Sequence, residues 1–269
     1  MQPNPSSNVT HHPEGFAMTG LRHALVTGGG SGVGRAIAHA LADAGMEVTI
    51  CGRGMEALEA AAKEYSRLHP IAADVTDAAS IASLYKQAEL ERGAIDVVVA
   101  NAGIAISAPA AKVSLEDWKR TLDVNLTGAF LTVQPALSGM MARRSGRIVF
   151  IASTAGLKGY GYVAPYVASK HGVIGLMRAL AAELARTGVT VNAVCPGYVE
   201  TEMLERSVER IVEKTGRTPD EARAGLMACN PQGRFIQPEE VGSVVRWLCS
   251  DGSASVTGQA LSISGGETW

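Results

Sequence analysis

The chain has 269 residues, 46% of them hydrophobic, enough to bury a sizeable core. Its 24 basic and 26 acidic residues nearly cancel, leaving no basic surplus for a nucleic-acid partner. No apolar run reaches the ~18 residues of a membrane span, and Cys51, Cys195, Cys229 and Cys249 form neither a CxxC pair nor a ligand cluster. No membrane partner and no metal are therefore expected, and the cysteines read as thiols of a reducing, cytoplasmic compartment.

The polar stretch 1–18 lacks the pattern of a secretory signal and is expected to be a disordered extension. His11 and His12 within it are too few ligands for a metal site. Short apolar runs then alternate with helical patterns. ALVTG (24–28), EVTIC (47–51), IAADV (71–75), DVVVAN (96–101), RIVFIAS (147–153), VTVNAVCPG (189–197) and ALSIS (260–264) read as strands, several apolar on consecutive residues as in strands covered on both faces. GRAIAHALADAG places Ile37, Leu41 and Ala44 at helical spacing and stops at Gly45. MEALEAAAKEYSRL (55–68), AASIASLYKQAELER (78–92) and PEEVGSVVRWLCSD (238–251) follow the same pattern, as does a long segment from Ser114 to about Arg143 with Pro135 near an expected bend. This alternation predicts an α/β fold: one doubly wound Rossmann domain over 19–269 with a seven-stranded parallel sheet. The charged helical stretch at about 200–232 interrupts the alternation beyond the carboxyl ends of the strands and is expected to form a small substrate lid.

TGGGSGVG (27–34) lies between the first strand and the first helix. Glycines let a phosphate approach the backbone, and the helix N-terminus offers free N–H groups. The spacing of Gly28, Gly32 and Gly34, G-x-x-x-G-x-G, departs from the usual dinucleotide G-x-G-x-x-G. Downstream, YVASK (166–170) follows IAST (151–154). Tyr166 and Lys170, four apart on a helix, share a face. An ammonium beside a phenol favours the phenolate and is expected to lower the pKa of Tyr166 toward that of a useful proton carrier. Ser153, at a strand end, is placed to hydrogen-bond the same substrate oxygen. Asn125, taken alone, reads as a cap or kink of a long helix.

In this order, T-G-x-x-x-G-x-G, Asp74–Val75, Asn101–Ala102–Gly103, VNLTG with Asn125, Ser153, Tyr166-x-x-x-Lys170 and PGYVET across 22–266 resemble the short-chain dehydrogenase/reductase family. The resemblance implies a nicotinamide dinucleotide cofactor held by Gly28, Ser31, Gly32, Val33 and Gly34, by Asp74 and Val75 at the adenine, and by the NAG motif. Pro196, Gly197, Val199 and Thr201 would border the nicotinamide. It further implies that Ser153, Tyr166 and Lys170 are catalytic, with Lys170 also binding the nicotinamide ribose and Asn125 helping to hold a water chain to the lysine. Ala100 stands where the family usually has a first Asn before NAG.

Gly52 replaces the acid that NAD-preferring relatives place after the second strand, and Arg53 offers a fork for a 2′-phosphate, with Arg35 as a second charge. NADP(H) is the expected cofactor and NAD(H) the alternative. The carboxyl-terminal half resembles β-ketoacyl reductases, polyketide reductases included, and 3-hydroxyacyl dehydrogenases. The expected substrate is therefore a 3-oxoacyl thioester or related β-keto compound, free or carrier-borne. IAISAPAA (104–111) stands where the polyketide group carries a glycine motif, which departs from that subgroup. Alternatives are a sugar, steroid or 3-hydroxybutyrate substrate, or a silent dinucleotide-binding regulator. The two long helices, 114–143 and the one from Ala164, are expected to pair chains into a homotetramer, as the family does.

Overall fold

The structure, a computed structural model, describes residues 18, 20–63 and 65–269. The predicted disordered extension and its two histidines lie outside these residues, except for Met18, which packs against the core. In chain order the elements are β1 (His23–Thr27), α1 (Gly32–Asp43), β2 (Glu47–Gly52), α2 (Met55–Ala62), β3 (Leu68–Ala72), α3 (Ala78–Arg92) and β4 (Val97–Ala100). There follow α4 (Leu115–Leu122), a π-turn (Asp123–Thr127), α5 (Gly128–Arg143), β5 (Gly146–Ile151) and α6 (Ala164–Leu184). The chain continues through β6 (Val189–Pro196), α7 (Glu202–Thr215), α8 (Pro219–Met227), α9 (Pro238–Leu248) and β7 (Ala260–Ile263). The strands form one parallel sheet in the order β3-β2-β1-β4-β5-β6-β7.

Consecutive apolar residues in the central strands feed two cores. Leu25, Val98, Ala100, Ile148 and Phe150 point to one face, under α3, α5 and α6. Ala24, Val26, Val97, Val99 and Val149 point to the other, under α1 and α9. Because strand side chains alternate, a run apolar at every position stabilises only a sheet covered twice. Each fully buried Val, Leu, Ile or Phe contributes about 1.5–3 kcal/mol before entropy is counted. The order of the strands reverses between β1 and β4, so loops leaving their carboxyl ends part there and open a crevice.

Three boundaries differ from the sequence reading. The third strand is Leu68–Ala72, not 71–75, and the helical pattern assigned to 55–68 stops at Ala62. Pro70, which lacks an N–H, is tolerated because β3 is an edge strand paired only with β2. The strand ends in a turn in which Asp74 Oδ1 accepts from the Thr76 N–H at 2.9 Å and its hydroxyl at 2.7 Å. The expected continuous helix from Ser114 is broken at Asp123–Thr127, while α5 runs on through Pro135. The cause is Asn125: its buried side chain accepts from the Ile104 N–H at 2.8 Å and donates to the Ile104 carbonyl at 2.9 Å, drawing the helix onto the loop after β4. The stretch expected as a lid is two helices, α7 and α8, the second closed by a capping box between Thr218 and Glu221. Among the described residues no helix is long and apolar enough to cross a membrane.

Candidate active site

The glycine-rich turn is stitched to the end of β4. Thr27 Oγ1 accepts from the N–H groups of Asn101 and Ala102, both at 3.0 Å, and Asn101 Nδ2 donates to the Thr27 carbonyl at 2.8 Å. Gly34 sits where a Cβ would lie 2.1 Å from the Gly28 oxygen, so α1 starts hard against the turn. Gly32 has φ +49 and a Cβ there would lie 3.2 Å from Thr201, the residue that opens α7. Ser31 precedes α1 without capping it, which leaves the first N–H groups of the helix free of side-chain partners. Val33 turns inward against the core.

A groove of about 760 Å³ runs from this turn across the crevice. Gly28, Arg53, Asp74, Val75, Ala102 and Gly103, which the sequence assigns to the cofactor, line it, together with Gly52. Its opposite wall is α4, through Glu116, Lys119 and Arg120, continued by Asp123 of the π-turn, residues that the sequence reading did not single out. Their amphipathic spacing marks a helix, but nothing local says that its polar face looks into the groove. Arg35 is exposed on α1 and is not among the lining residues. The Asp74 carboxyl is held below the usual range by the bonds from Thr76 and, more weakly, by the Arg53 charge. Free helix N–H groups, a glycine turn with no room for a Cβ, and a groove of mixed charged and apolar lining at the sheet's switch point fit a dinucleotide.

The two hydroxyls are not among the groove's lining residues; they stand past Gly103, where a Cβ would lie 3.6 Å from Lys170 Nζ. Ser153 follows β5, and its Oγ accepts from the Ala155 N–H at 3.1 Å. Tyr166 lies in the first turn of α6, with the Ser153 hydroxyl near enough to favour its phenolate. Lys170, one turn on, is buried, with Nζ 2.8 Å from the Ile151 carbonyl and 5.7 Å from the centre of the Tyr166 ring. The expected lowering of the phenol's pKa is corrected here. Burial pushes Tyr166 up, the nearby Ser153 hydroxyl only partly offsets this, and burial lowers Lys170 to about 8. Sharing a helix face does not bring the ammonium to the phenol oxygen, because the lysine reaches inward to a strand carbonyl.

Asn125 completes a chain of bonds beneath these groups. Besides binding Ile104, its Nδ2 donates to Ser169 Oγ at 3.0 Å, and Ser169 donates to the Tyr166 carbonyl at 2.7 Å. A Cβ on Gly103 would lie 3.3 Å from Asn125 Oδ1 and 3.6 Å from Lys170 Nζ, so the NAG backbone passes between the two side chains. On the other flank Pro196 ends β6, the Gly197 N–H donates to Ile263 at 2.9 Å, and Val199 bridges Ile236.

The profile of the short chain dehydrogenase family matches residues 22–211. The chain is a short-chain dehydrogenase/reductase. Among relatives of this dehydrogenase, a candidate ketoacyl reductase of Streptomyces coelicolor is 43% identical over 249 residues, covering 90% of this chain and 95% of that protein. A 3-oxoacyl-[acyl-carrier-protein] reductase of Aquifex aeolicus is 38% identical over 247 residues, with 90% and 95% covered. A crystal structure of a variant actinorhodin polyketide ketoreductase with NADPH superposes with a TM-score of 0.89 at 42% identity, over 92% of this chain and 97% of that one. This dehydrogenase is thus an NAD(P)-dependent oxidoreductase of the ketoacyl reductase type.

Proposed function

We propose that the protein reduces the ketone of a 3-oxoacyl thioester or a related β-keto compound with NADPH, using Tyr166 as the general acid. The observation that carries this is the meeting of Ser153, Tyr166 and a buried Lys170 just past Gly103, which lines the groove: Lys170 Nζ would lie 3.6 Å from a Cβ on Gly103 and lies 5.7 Å from the Tyr166 ring centre, and the Ser153 hydroxyl favours the phenolate. Gly28, Ser31, Gly32, Gly34, Asp74, Val75, Asn101, Ala102 and Gly103 would hold the dinucleotide, with Val33 supporting the turn from below. Pro196, Gly197, Val199 and Thr201 would flank its nicotinamide end. When bound, the nicotinamide supplies a hydride to the carbonyl carbon. Ser153 donates a hydrogen bond to the carbonyl oxygen and fixes its position. Tyr166 gives its phenolic proton to that oxygen, so that C=O becomes CH–OH. The Lys170 charge beneath the ring stabilises the phenolate left behind. Asn125 and Ser169 hold the start of α6 at the depth this requires.

The cofactor reading rests on Arg53 beside Gly52 at the groove wall and on a relative solved with NADPH. We place the protein in the cytoplasm, in keeping with its four free thiols. We read α7 and α8 as a lid; hydrogen exchange over 202–227 should slow when NADPH and a substrate analogue are both present, and unchanged protection would count against it. We read the assembly as a homotetramer, since Trp118, Phe130 and Met141 leave apolar surface exposed on α4 and α5. A monomer mass by light scattering at micromolar concentration would defeat that reading.

The activity is tested by following NADPH and NADH oxidation with 3-oxoacyl thioesters, simple ketones and quinones. The expected result is fastest turnover of 3-oxoacyl thioesters with NADPH. Turnover confined to quinones, or none with any carbonyl, would overturn the reading.

A further inference from the structure

The segment after β7 turns at Gly265–Gly266 and brings Glu267 back against Tyr160 and Gly197, beyond the carboxyl ends of β5 and β6. The Glu267 side chain is only 2% exposed. Its Oε1 accepts from the Tyr160 hydroxyl at 2.6 Å and pairs with Lys158 Nζ at 3.1 Å. The Tyr160 oxygen also lies 2.7 Å from Thr154 Oγ1. A carboxylate only accepts, so the single phenolic hydrogen belongs to Glu267 and the Thr154 hydroxyl donates to Tyr160. Thr154 is the neighbour of Ser153, so two hydrogen bonds join the carboxylate to the catalytic strand end. Tyr198, two residues past the end of β6, has its pKa raised in part by both Glu267 and Tyr166.

The second oxygen, Oε2, has no hydrogen bond among the described residues. It faces the backbone at Gly197, where a Cβ would lie 3.2 Å away. A carboxylate whose side chain is nearly buried, with one oxygen doubly engaged and the other unpaired at a sliver of surface, is an acceptor open to a donor, and hydrogen bonds to a charged group are stronger than neutral ones. A 3-oxoacyl chain near its ketone offers only acceptor oxygens, which a carboxylate repels. A hydroxyl or N–H on the chain would satisfy it.

We infer that Glu267 is a specificity-determining residue whose Oε2 accepts a hydrogen bond from a hydroxyl or N–H close to the substrate's ketone. This rests on the carbonyl-reductase reading above and narrows its substrate to donor-bearing 3-oxo compounds. Tyr160 and Lys158 hold the carboxylate in place and leave Oε2 to the ligand.

The test compares size-matched ketones that differ in one donor: ethyl 4-hydroxy- against 4-methoxy-3-oxobutanoate, and ethyl 5-hydroxy- against 5-methoxy-3-oxopentanoate. In at least one pair the native enzyme should favour the hydroxy compound by about 10-fold or more in kcat/KM, the scale of a hydrogen bond to a charged group. In Glu267→Gln, Tyr160 and Lys158 retain the amide oxygen and turn the NH2 toward Gly197, so a donor replaces the acceptor. The hydroxy/methoxy ratio should then fall by about 10-fold or reverse. The ratio is taken within one variant, so a loss of folded protein cancels; Glu267→Met, of similar length without polar atoms, replaces the glutamine chain if that does not fold. Equal rates within both pairs, or a ratio unchanged by the substitution, would overturn the inference while leaving carbonyl reduction standing. So would a rise in the KM for NADPH that is the same for every ketone, since the carboxylate would then serve the nicotinamide. Reduction of 3-oxoacyl thioesters but of none of the four esters would also overturn it, whereas failure with every carbonyl compound would remove the broader reading.

Discussion

Lys170 lies beneath Tyr166 and gives its hydrogen bond to the Ile151 carbonyl, not to the phenol. The amine stands 5.7 Å from the centre of the Tyr166 ring, and the Ser153 hydroxyl is what favours the phenolate. Tyr166→Phe keeps the ring over the lysine and removes only the proton. Turnover should fall at least ~10²-fold, while NADPH affinity, followed by fluorescence titration, stays within a few-fold. Near-native turnover by the phenylalanine variant would exclude Tyr166 as the acid.

Burying the Lys170 ammonium has a stability consequence with a definite sign. Its pKa is lowered from 10.5 to about 8, so between these values the unfolded chain binds more protons than the folded one. The burial penalty is complete below pH 8 and is relieved as pH rises toward 10.5. Lys170→Met should therefore be as stable as the parent or more so at pH 7, by up to ~3 kcal/mol, while losing activity. The stability gap between the two should shrink by pH 10. Melts at both pH values decide this; a gap that widens with pH would mean that the lysine stabilises the fold.

Gly34 packs against the backbone of its own turn. In Gly34→Ala the new Cβ meets the Gly28 oxygen at 2.1 Å and Asn101 Nδ2 at 2.5 Å, neither of which can yield without moving a strand end. The expected loss is about 1–3 kcal/mol by denaturant titration, together with NADPH binding. A native midpoint would show that the turn is looser than this packing implies.

The adenosine end of the groove sets the cofactor. A Cβ on Gly52 would meet only Leu58, at 3.7 Å, so Gly52→Asp places a carboxylate there without a clash. The parent should favour NADPH in kcat/KM, and the variant should shift toward NADH. Arg53→Ala should weaken NADPH use about 10-fold or more and leave NADH nearly unchanged, since only the 2′-phosphate is lost to the guanidinium. A parent enzyme that prefers NADH would refute the assignment.

What the sequence alone determined is what local geometry carries. Strand alternation and helical spacing depend on neighbours within a few residues, so the doubly wound sheet, the glycine turn and the shared face of Tyr166 and Lys170 were legible before any coordinates. Boundaries failed where a distant partner overrode the local pattern. Leu68 joined the edge strand by pairing with Val48, and Asn125 opened a π-turn by binding Ile104. Direction of titration was equally beyond the sequence, because it follows from burial, which belongs to the packed molecule. The wall that α4 presents to the groove and the return of Glu267 to Tyr160, 107 residues earlier, exist only once helices cover the sheet and the last strand docks beside β6. Local spacing chose the chemical groups; long-range packing decided which of them meet and in what state of solvation.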